Sequence, residues 1–427
     1  MDLLDSLETD GHDTRTRRRE NPEPSTLPRL TDNGCNRTNR QGEASAIESR
    51  YRYGRPAETR PIVTYTAGII GTGGIAGMGI LGMHDAEAIG NEKVRASHAG
   101  GYDATDGIEL VAIADVDEEK LATFGDAWEI PEDRRYVGHE AMLAAEDLDV
   151  VSVTTPSFLH SRHTIDAARS EADPAVIWCE KPIAASVSEA EAMVEVCEGT
   201  DTELVVNHSF RFTAKLQRLR DLVHEEGILG DVHSVATQFR MELLRNSTHL
   251  LDTLVYLLDA RAERVSGYVT GENEAVESLG ADRNVDDAGG GGFVVMDEGT
   301  FATVDCTIPR ADSSMTLSFV GSEGKLYMNN DDGEWRYWGL GGSGHTPESL
   351  PGIDGAWTWD EDYEAAFPNA VSRVVAMLDG DASNPSTGRD ATRSLEIIVG
   401  FYVSHYTGSH VSIPLDRPLR DVAISSW

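Results

Sequence analysis

A glycine-rich turn is the first segment whose residue types and spacing could do chemistry. It runs Gly71-Thr-Gly73-Gly74-Ile75-Ala76 and follows the apolar pair Ile69-Ile70. The first glycine permits a tight turn, and the second lets the backbone approach a phosphate group. A helix that starts here directs free N–H groups and the positive end of its dipole at the same anion. The pattern predicts that a dinucleotide pyrophosphate is bound by Gly71, Gly73, Gly74 and Ile75.

Asp115 ends the apolar run 110–114, which predicts a buried parallel strand. A carboxylate at such a strand end accepts a hydrogen bond from the 2′-hydroxyl of NAD and repels the 2′-phosphate of NADP, so the sequence favours NAD. Asp115 lies 44 residues after Gly71, whereas the usual interval is about 20. The excess indicates an insertion within residues 85–107. The alternative role for Asp115 is to cap the helix that begins near Glu118.

Lys181 follows the strand-like run 177–180 in a chain that uses very little lysine. Only 5 of its 36 basic residues are lysine. A lysine here therefore suggests a role that arginine could not fill, because burial can shift the pKa of lysine whereas arginine stays charged. The alternative is that Lys181 only forms an ion pair with Glu180 at the strand end.

His249 is the candidate base, because removing hydride from an alcohol also releases the hydroxyl proton. It follows Asn246-Ser-Thr248, residue types that cap helices, and it precedes leucines at helical spacing. These features predict that His249 lies in the first turn of an amphipathic helix, where the dipole keeps the imidazole neutral and able to accept a proton. Asp252 could orient it from the next turn. The alternative is that His249 is only part of the cap.

These segments, in this order, resemble the glucose–fructose oxidoreductase and inositol 2-dehydrogenase family of sugar and polyol dehydrogenases. The resemblance covers about residues 66–415 and rests on the glycine turn, Ala114-Asp115, Thr154–His160, Glu180-Lys181-Pro182, Asn207–Arg211, His249–Asp252 and 388–395. It implies that Lys181 holds the reacting hydroxyl against nicotinamide C4. It also implies that the cofactor is contacted by Thr155, Pro156, His160, Glu180 and Lys181.

The chain departs from this family at Arg245, four residues before His249. Inositol dehydrogenase-like members have an aspartate there. An arginine suggests an anionic substrate group, such as a sugar acid or a phosphate, unless it only pairs with Glu242. The resemblance also suggests that His208 and Arg211 face the substrate, although both could be structural. The candidate substrate residues are thus His208, Arg211, Arg245 and Asp252.

The resemblance and the candidate residues together predict an NAD-dependent oxidoreductase that acts on a secondary alcohol of a sugar, polyol or sugar acid. Two alternatives remain open. One is a non-catalytic protein that senses NAD or a sugar on the same scaffold. The other is a redox-neutral glycosidase that uses NAD without net formation of NADH.

The composition is strongly acidic, with 73 acidic and 36 basic residues and a net charge of −37. This resembles proteins from a salt-loaded cytoplasm, where a carboxylate surface keeps the protein hydrated. It argues against nucleic acid or an anionic membrane as a partner, and no apolar run is long enough to span a bilayer. The four cysteines are widely spaced, so neither a metal site nor a disulfide framework is indicated. We expect a cytoplasmic protein.

The elements that position these residues form two predicted domains. Residues 63–184 alternate strands and helices, as in a doubly wound NAD-binding Rossmann domain. Residues 185–427 predict an α+β substrate-binding and oligomerisation domain with a large open, mostly antiparallel sheet. Gly289–Gly292 is interpreted as a loop. An open sheet needs its second face covered, so we expect a homodimer or homotetramer. Residues 1–62, of which 1–60 contain 11 Arg and 11 acidic residues, predict a disordered tail or a mis-assigned start.

Overall fold

The computed structural model describes residues 64–78, 93–270, 284–309, 314–330, 335–340 and 346–426. Its first sheet consists of six parallel strands. The strand order is β3-β2-β1-β4-β5-β6. These strands are β1 Tyr65–Ile70, β2 Ile108–Asp115, β3 Arg135–Val137, β4 Val150–Val153, β5 Val176–Glu180 and β6 Glu203–Asn207. Every residue of β4 and β5 is buried, as expected of parallel strands covered on both faces. The predicted tail over 1–62 and part of the predicted insertion lie outside the described residues.

Within the described residues, the α-helices that connect these strands are α1 His98–Asp103, α2 Glu118–Ala127, α3 His139–Ala145, α4 His160–Ala168 and α5 Val187–Gly199. The side chain of Asp117 accepts the N–H groups of Glu119 and Lys120 at the start of α2. Asp117, rather than Asp115, therefore caps that helix. Ser186 caps α5 in the same way through the N–H of Glu189.

The first sheet continues beyond residue 184, which is the predicted end of the Rossmann domain. Helix α5 returns the chain to the same sheet, and β6 pairs in parallel with β5 from Val176–Glu203 to Glu180–Asn207. The parallel sheet therefore extends to residue 207, and the Glu180-Lys181-Pro182 segment is a strand end inside it.

The second sheet has eight strands in the order β14-β13-β12-β7-β11-β10-β8-β15. They are β7 Val232–Arg240, β8 Ala262–Val269, β10 Gly290–Met296, β11 Phe301–Ile308, β12 Thr316–Gly321, β13 Gly324–Asn329, β14 Arg336–Gly339 and β15 Val411–Ser412. The β7–β11 pair is parallel and the other pairs are antiparallel. A separate parallel pair joins β9 Asn284–Asp286 to β16 Ala423–Ser425. The predicted α/β fold with an open, mostly antiparallel second sheet is confirmed.

Three of the glycines predicted as a loop at 289–292 instead begin strand β10, which starts at Gly290. A Cβ atom on Gly291 would collide with the backbone oxygen of Val304 in β11, and one on Gly292 would collide with that of Ser266 in β8. The glycines are required because both neighbouring strands approach this backbone closely. Without that tertiary information, a run of glycine looks like a loop.

Helices cover one face of the second sheet, and the other face exposes aromatic side chains. The helices that follow β6 are α6 Ala214–His224, α7 Thr248–Leu258, α8 Glu364–Leu378 and α9 Gly388–Thr407. Helix α9 packs on β8, where the Ser404 hydroxyl accepts the N–H of Gly267. Tyr268, Phe293 and Phe301 are 63%, 52% and 41% exposed on the opposite face. Within the described ranges, none of the helices combines the length and apolar character needed to span a membrane.

Candidate active site

A cavity of about 270 Å³ lies where the carboxyl ends of the parallel strands meet β7 and α7. In α/β proteins this edge of the sheet is the usual position of a ligand site. The predicted site residues that line it are Gly74, Ile75, Thr155, Pro156, His160, Glu180, Lys181, Arg245 and His249. A second cavity, of about 640 Å³, lies between α5, β8 and α9, and its lining contains none of the predicted site residues.

The glycine turn leaves space at the position where a phosphate is expected. Gly71 has a φ of +96°, and a Cβ there would press on Thr155. By contrast, no atom of the described residues, its two chain neighbours aside, lies within 4 Å of the position that a Cβ of Gly73 would occupy. The chain then forms one π-helical turn over Gly74–Met78 instead of a regular α-helix start. The turn is therefore open to a pyrophosphate above Gly73.

Asp115 organises the glycine turn from the end of β2. Its Oδ2 accepts the Thr72 backbone N–H at 2.6 Å and the Thr72 hydroxyl at 2.8 Å, and its Oδ1 accepts the Asp117 N–H at 2.9 Å. Burial opposes ionisation of this carboxyl, but the hydrogen bonds outweigh burial and lower its pKa. Asp115 is therefore a carboxylate beside the glycine turn, as predicted from its place at a strand end.

Lys181 connects the two halves of the cavity. It directly follows β5, and its peptide bond to Pro182 is cis. Its Nζ donates a hydrogen bond to the backbone oxygen of Arg245 at 2.9 Å. Arg245 belongs to the segment between β7 and α7, so this contact joins the end of the parallel sheet to the second domain. The ammonium group is thus held at the wall of the cavity by a neutral acceptor.

Glu180 lies at the end of a buried polar chain that sequence reasoning missed. Its Oε1 accepts Nε2–H of His98 at 3.1 Å and the Asn207 amide at 2.5 Å. His98 Nδ1 lies 2.9 Å from the Ser152 hydroxyl, which lies 2.7 Å from the Tyr102 hydroxyl. Since a carboxylate only accepts, the proton must sit on Nε2, and Nδ1 accepts from Ser152. The whole chain then runs in one direction, from Tyr102 to Glu180.

The charges of this chain are set by opposing effects. Burial raises the pKa of Glu180, but the hydrogen bond from His98, the charge of Lys181 and the hydrogen bond from Asn207 outweigh burial and lower it. Burial lowers the pKa of His98 more than Glu180 raises it. Glu180 is therefore ionised and His98 neutral, which agrees with the direction of the hydrogen bonds. The signal for His98 was weak because it lies 82 residues from Glu180.

His249 lies in the first turn of α7, as predicted, and its ring is buried. Its pKa is well below the ordinary histidine value, first because of burial and then because Lys181, His208 and Arg240 add positive potential. Among the described residues, no group forms a hydrogen bond with its Nδ1. The ring packs against Phe210, with centroids 5.1 Å apart. His249 is thus a neutral imidazole on the cavity wall, able to accept a proton.

Three of the four predicted substrate residues are not in the cavity lining. Arg211 donates from Nε and from its second terminal nitrogen to the two carboxylate oxygens of Asp252, both at 2.7 Å, and all of these groups are buried. Asp252 therefore holds Arg211 and does not orient His249. His208 Nδ1 lies 3.2 Å from Asp252, and burial lowers the pKa of His208 to about 4. Arg211 and Asp252 pair with each other because a buried guanidinium needs a buried carboxylate, and their role toward a substrate stays a prediction.

Among the described lining residues, four lie outside every sequence motif considered above: Phe239, Arg240, Tyr363 and Ser426. Arg240 ends β7, and Ser426 follows the last strand, β16. Neither position belongs to a motif, so only the tertiary fold brings them to the site.

The fold and the cleft together are those of an oxidoreductase of the Rossmann class. The protein has a parallel sheet with a glycine turn, an adjoining mixed sheet, and a cleft lined by a lysine and a neutral histidine. Residues 66–208 match the model of the Gfo/Idh/MocA family, described as "Oxidoreductase family, NAD-binding Rossmann fold". The segment 66–208 is therefore similar to the NAD-binding part of this family. The family predicted from the sequence motifs is thereby confirmed.

Similar proteins and structures extend this likeness beyond residue 208. A D-apiose dehydrogenase of Paraburkholderia graminis is 26% identical over 353 residues, which are 74% of this chain and 86% of the relative. An NADP-linked D-xylose 1-dehydrogenase of Haloarcula marismortui is 27% identical over 52% of this chain and 66% of its own length. An oxidoreductase from Agrobacterium radiobacter, solved with NAD⁺, L-tartaric acid and magnesium, has the same fold. Its TM-score is 0.64 at 19% identity, over 82% of this chain and 99% of that one.

Proposed function

We propose that this protein is an NAD-dependent dehydrogenase that oxidises a secondary alcohol of a sugar, polyol or sugar acid. The observation that carries the proposal is that Lys181 and the neutral His249 line one cavity beside the glycine turn. Relatives described as apiose and xylose dehydrogenases support a carbohydrate substrate.

The residues that would hold the cofactor fit a dinucleotide. The open space above Gly73 suits the pyrophosphate. The cavity wall formed by Gly74, Ile75, Thr155, Pro156 and His160 suits the nicotinamide half. When bound, the nicotinamide ring accepts hydride at C4. We assign this cofactor role to residues 64–207, and we assign substrate binding and oligomerisation to the remainder of the fold.

The proposed preference for NAD depends on Asp115. Its lowered pKa keeps the carboxylate charged, and a charged carboxylate beside the ribose disfavours a 2′-phosphate. The positive charge of Lys120 helps to lower the pKa of Asp115. The Lys120 side chain is 64% exposed and also lies 3.8 Å from Asp117. Because one relative is NADP-linked, the preference of this protein for NAD over NADP has to be measured directly.

The proposed proton path uses two groups. Lys181 donates a hydrogen bond to the reacting oxygen and stabilises negative charge that develops on it. His249 accepts the hydroxyl proton, because its imidazole is neutral. Phe210 and Phe239 also line the cavity and make part of its wall apolar.

We also propose that a second copy of the chain covers the exposed face of the second sheet. Phe293 and Phe301 stack there, with centroids 5.4 Å apart, and Tyr268 is on the same face. Exposed aromatics on an otherwise acidic protein are typical of an interface.

The test is formation of NADH, measured by its near-ultraviolet absorbance, with a panel of sugars, polyols, sugar acids and sugar phosphates. Lys181→Ala should abolish turnover and leave NAD binding, measured by calorimetry, almost intact. Lys325→Ala, at an exposed position on β13, is the matched control. NAD binding without turnover of any panel member would contradict the dehydrogenase proposal.

A further inference from the structure

The backbone of Arg245 is fixed on both sides of the residue. Its N–H donates to Asp287 Oδ2 at 2.9 Å. Its carbonyl oxygen accepts Lys181 Nζ at 2.9 Å. The position of this residue beside the catalytic lysine is therefore set by the main chain, and the side chain is left to line the cavity.

The guanidinium of Arg245 has no carboxylate within 4 Å among the residues that the structure describes. Glu242, the partner considered from the sequence, instead accepts the Asn246 amide at 2.7 Å. Asp287 is engaged by the N–H groups of Leu244 and Arg245 and by the Ser426 hydroxyl. Other arginines of this acidic chain do have carboxylate partners, among them Arg211, Arg218, Arg220, Arg389 and Arg420.

The cavity lining is cationic in a protein of net charge −37. Lys181, Arg240 and Arg245 line it, and among the described lining residues Glu180 is the one carboxylate. That carboxylate is already bonded by His98 and Asn207. Burial and the nearby positive charges keep His249 neutral. A positive cleft in a negative surface concentrates anions at its mouth and within it.

We propose that the substrate carries an anionic group, a carboxylate or a phosphate, and that Arg245 binds this group while Lys181 and His249 act on a hydroxyl of the same molecule. The inference rests on the proposed function and names its substrate class. A guanidinium presents a fork of N–H donors that matches either anion with two parallel hydrogen bonds. A neutral sugar would leave the fork without a partner after water is displaced, so the site discriminates against it.

Matched compounds that differ at one carbon test this. D-glucose, D-glucuronate and D-glucose 6-phosphate form one set, and the galactose counterparts form another. With NAD present, the anionic members should have at least about tenfold higher kcat/KM than the neutral sugar, since a hydrogen bond to a charged group contributes about 1.5–3 kcal/mol. A preference for the uronate over the phosphate identifies a carboxylate, and the reverse preference identifies a phosphate.

Arg245→Gln should remove this preference by raising KM about 10- to 100-fold for the anionic compound, with a smaller change for the neutral sugar. Arg245→Lys should retain part of it, because the charge remains and the fork is lost. Arg169→Gln, at an exposed position after α4, is the matched control. Equal or better use of the neutral sugars, or an unchanged preference in Arg245→Gln, would overturn the inference and leave the dehydrogenase proposal standing.

Calorimetry separates this inference from the proposed function. The NADH-loaded protein is titrated with each compound, so no turnover is needed. Binding of a uronate or a sugar phosphate that is lost in Arg245→Gln supports the anion site even if no compound is oxidised. Binding of none of these anions overturns it.

Discussion

Replacement of His98 by leucine removes the only imidazole that donates to Glu180 in the buried polar chain. Two hydrogen bonds are lost, at 3.1 Å to Glu180 and at 2.9 Å to Ser152. A bond to a charged group contributes about 1.5–3 kcal/mol and a neutral bond about 1 kcal/mol, so the free energy of unfolding should fall by about 3 kcal/mol. Leucine fills much of the same space, which keeps the cavity contribution small.

The loss should depend on pH in a defined direction. The folded state lowers the pKa of Glu180, so its carboxylate stabilises the fold above the ordinary glutamate pKa, and this stabilisation disappears as pH falls through the lowered pKa. In His98→Leu the pKa of Glu180 rises, because burial is no longer opposed by the imidazole. The difference in stability between the two proteins should therefore be largest at neutral pH and should shrink under acidic conditions.

Chemical denaturation at several pH values, at constant salt, measures this difference. The matched control is His233→Leu, since His233 is exposed on β7. A difference that stays constant or grows as the pH falls would refute the assignment of Glu180 as the ionised acceptor of His98. The same variant should also have a lower kcat, because Glu180 borders Lys181.

Three other predictions concern the cofactor, the base and the sheet face. Asp115→Asn should lower the ratio of kcat/KM for NAD to that for NADP about tenfold, because the charge that repels a 2′-phosphate is lost. For the base, kcat/KM should not fall as pH drops through the ordinary histidine pKa, because the pKa of His249 is well below it; a pH profile that loses activity there would show that a different base acts. Phe301→Glu should reduce the mass measured by light scattering to that of one chain, whereas an unchanged mass would place the interface elsewhere.

Local motifs allowed part of the site to be predicted. The glycine turn, Asp115, Lys181 and the helical position of His249 each depend on a few neighbouring residues, and the structure has each in its expected element. Such signals survive in a single sequence because the chemistry needs a fixed residue at a fixed point of a strand or helix.

Long-range pairing explains what could not be predicted. Arg211 and Asp252 are 41 residues apart and bind each other, yet each alone looks like a substrate contact. His98 begins α1, and it contacts Glu180 because α1 lies near strand β4, which carries Ser152, and strand β5, which ends at Glu180. The glycines of β10 require knowledge of the backbones on either side. In each case the residue that determines the role lies far away in the sequence, so the spacing of residues within a motif does not predict the contact.

The bond between Lys181 and the carbonyl oxygen of Arg245 separates two tasks at one residue. The main chain of position 245 holds the lysine, and in the anion site proposed above the side chain binds the substrate. Every amino acid has the same carbonyl, and every one except proline has the N–H that binds Asp287. If Arg245 binds the substrate as proposed, a single codon change at this position can alter substrate choice, during evolution or by engineering, without loss of the contact that holds Lys181.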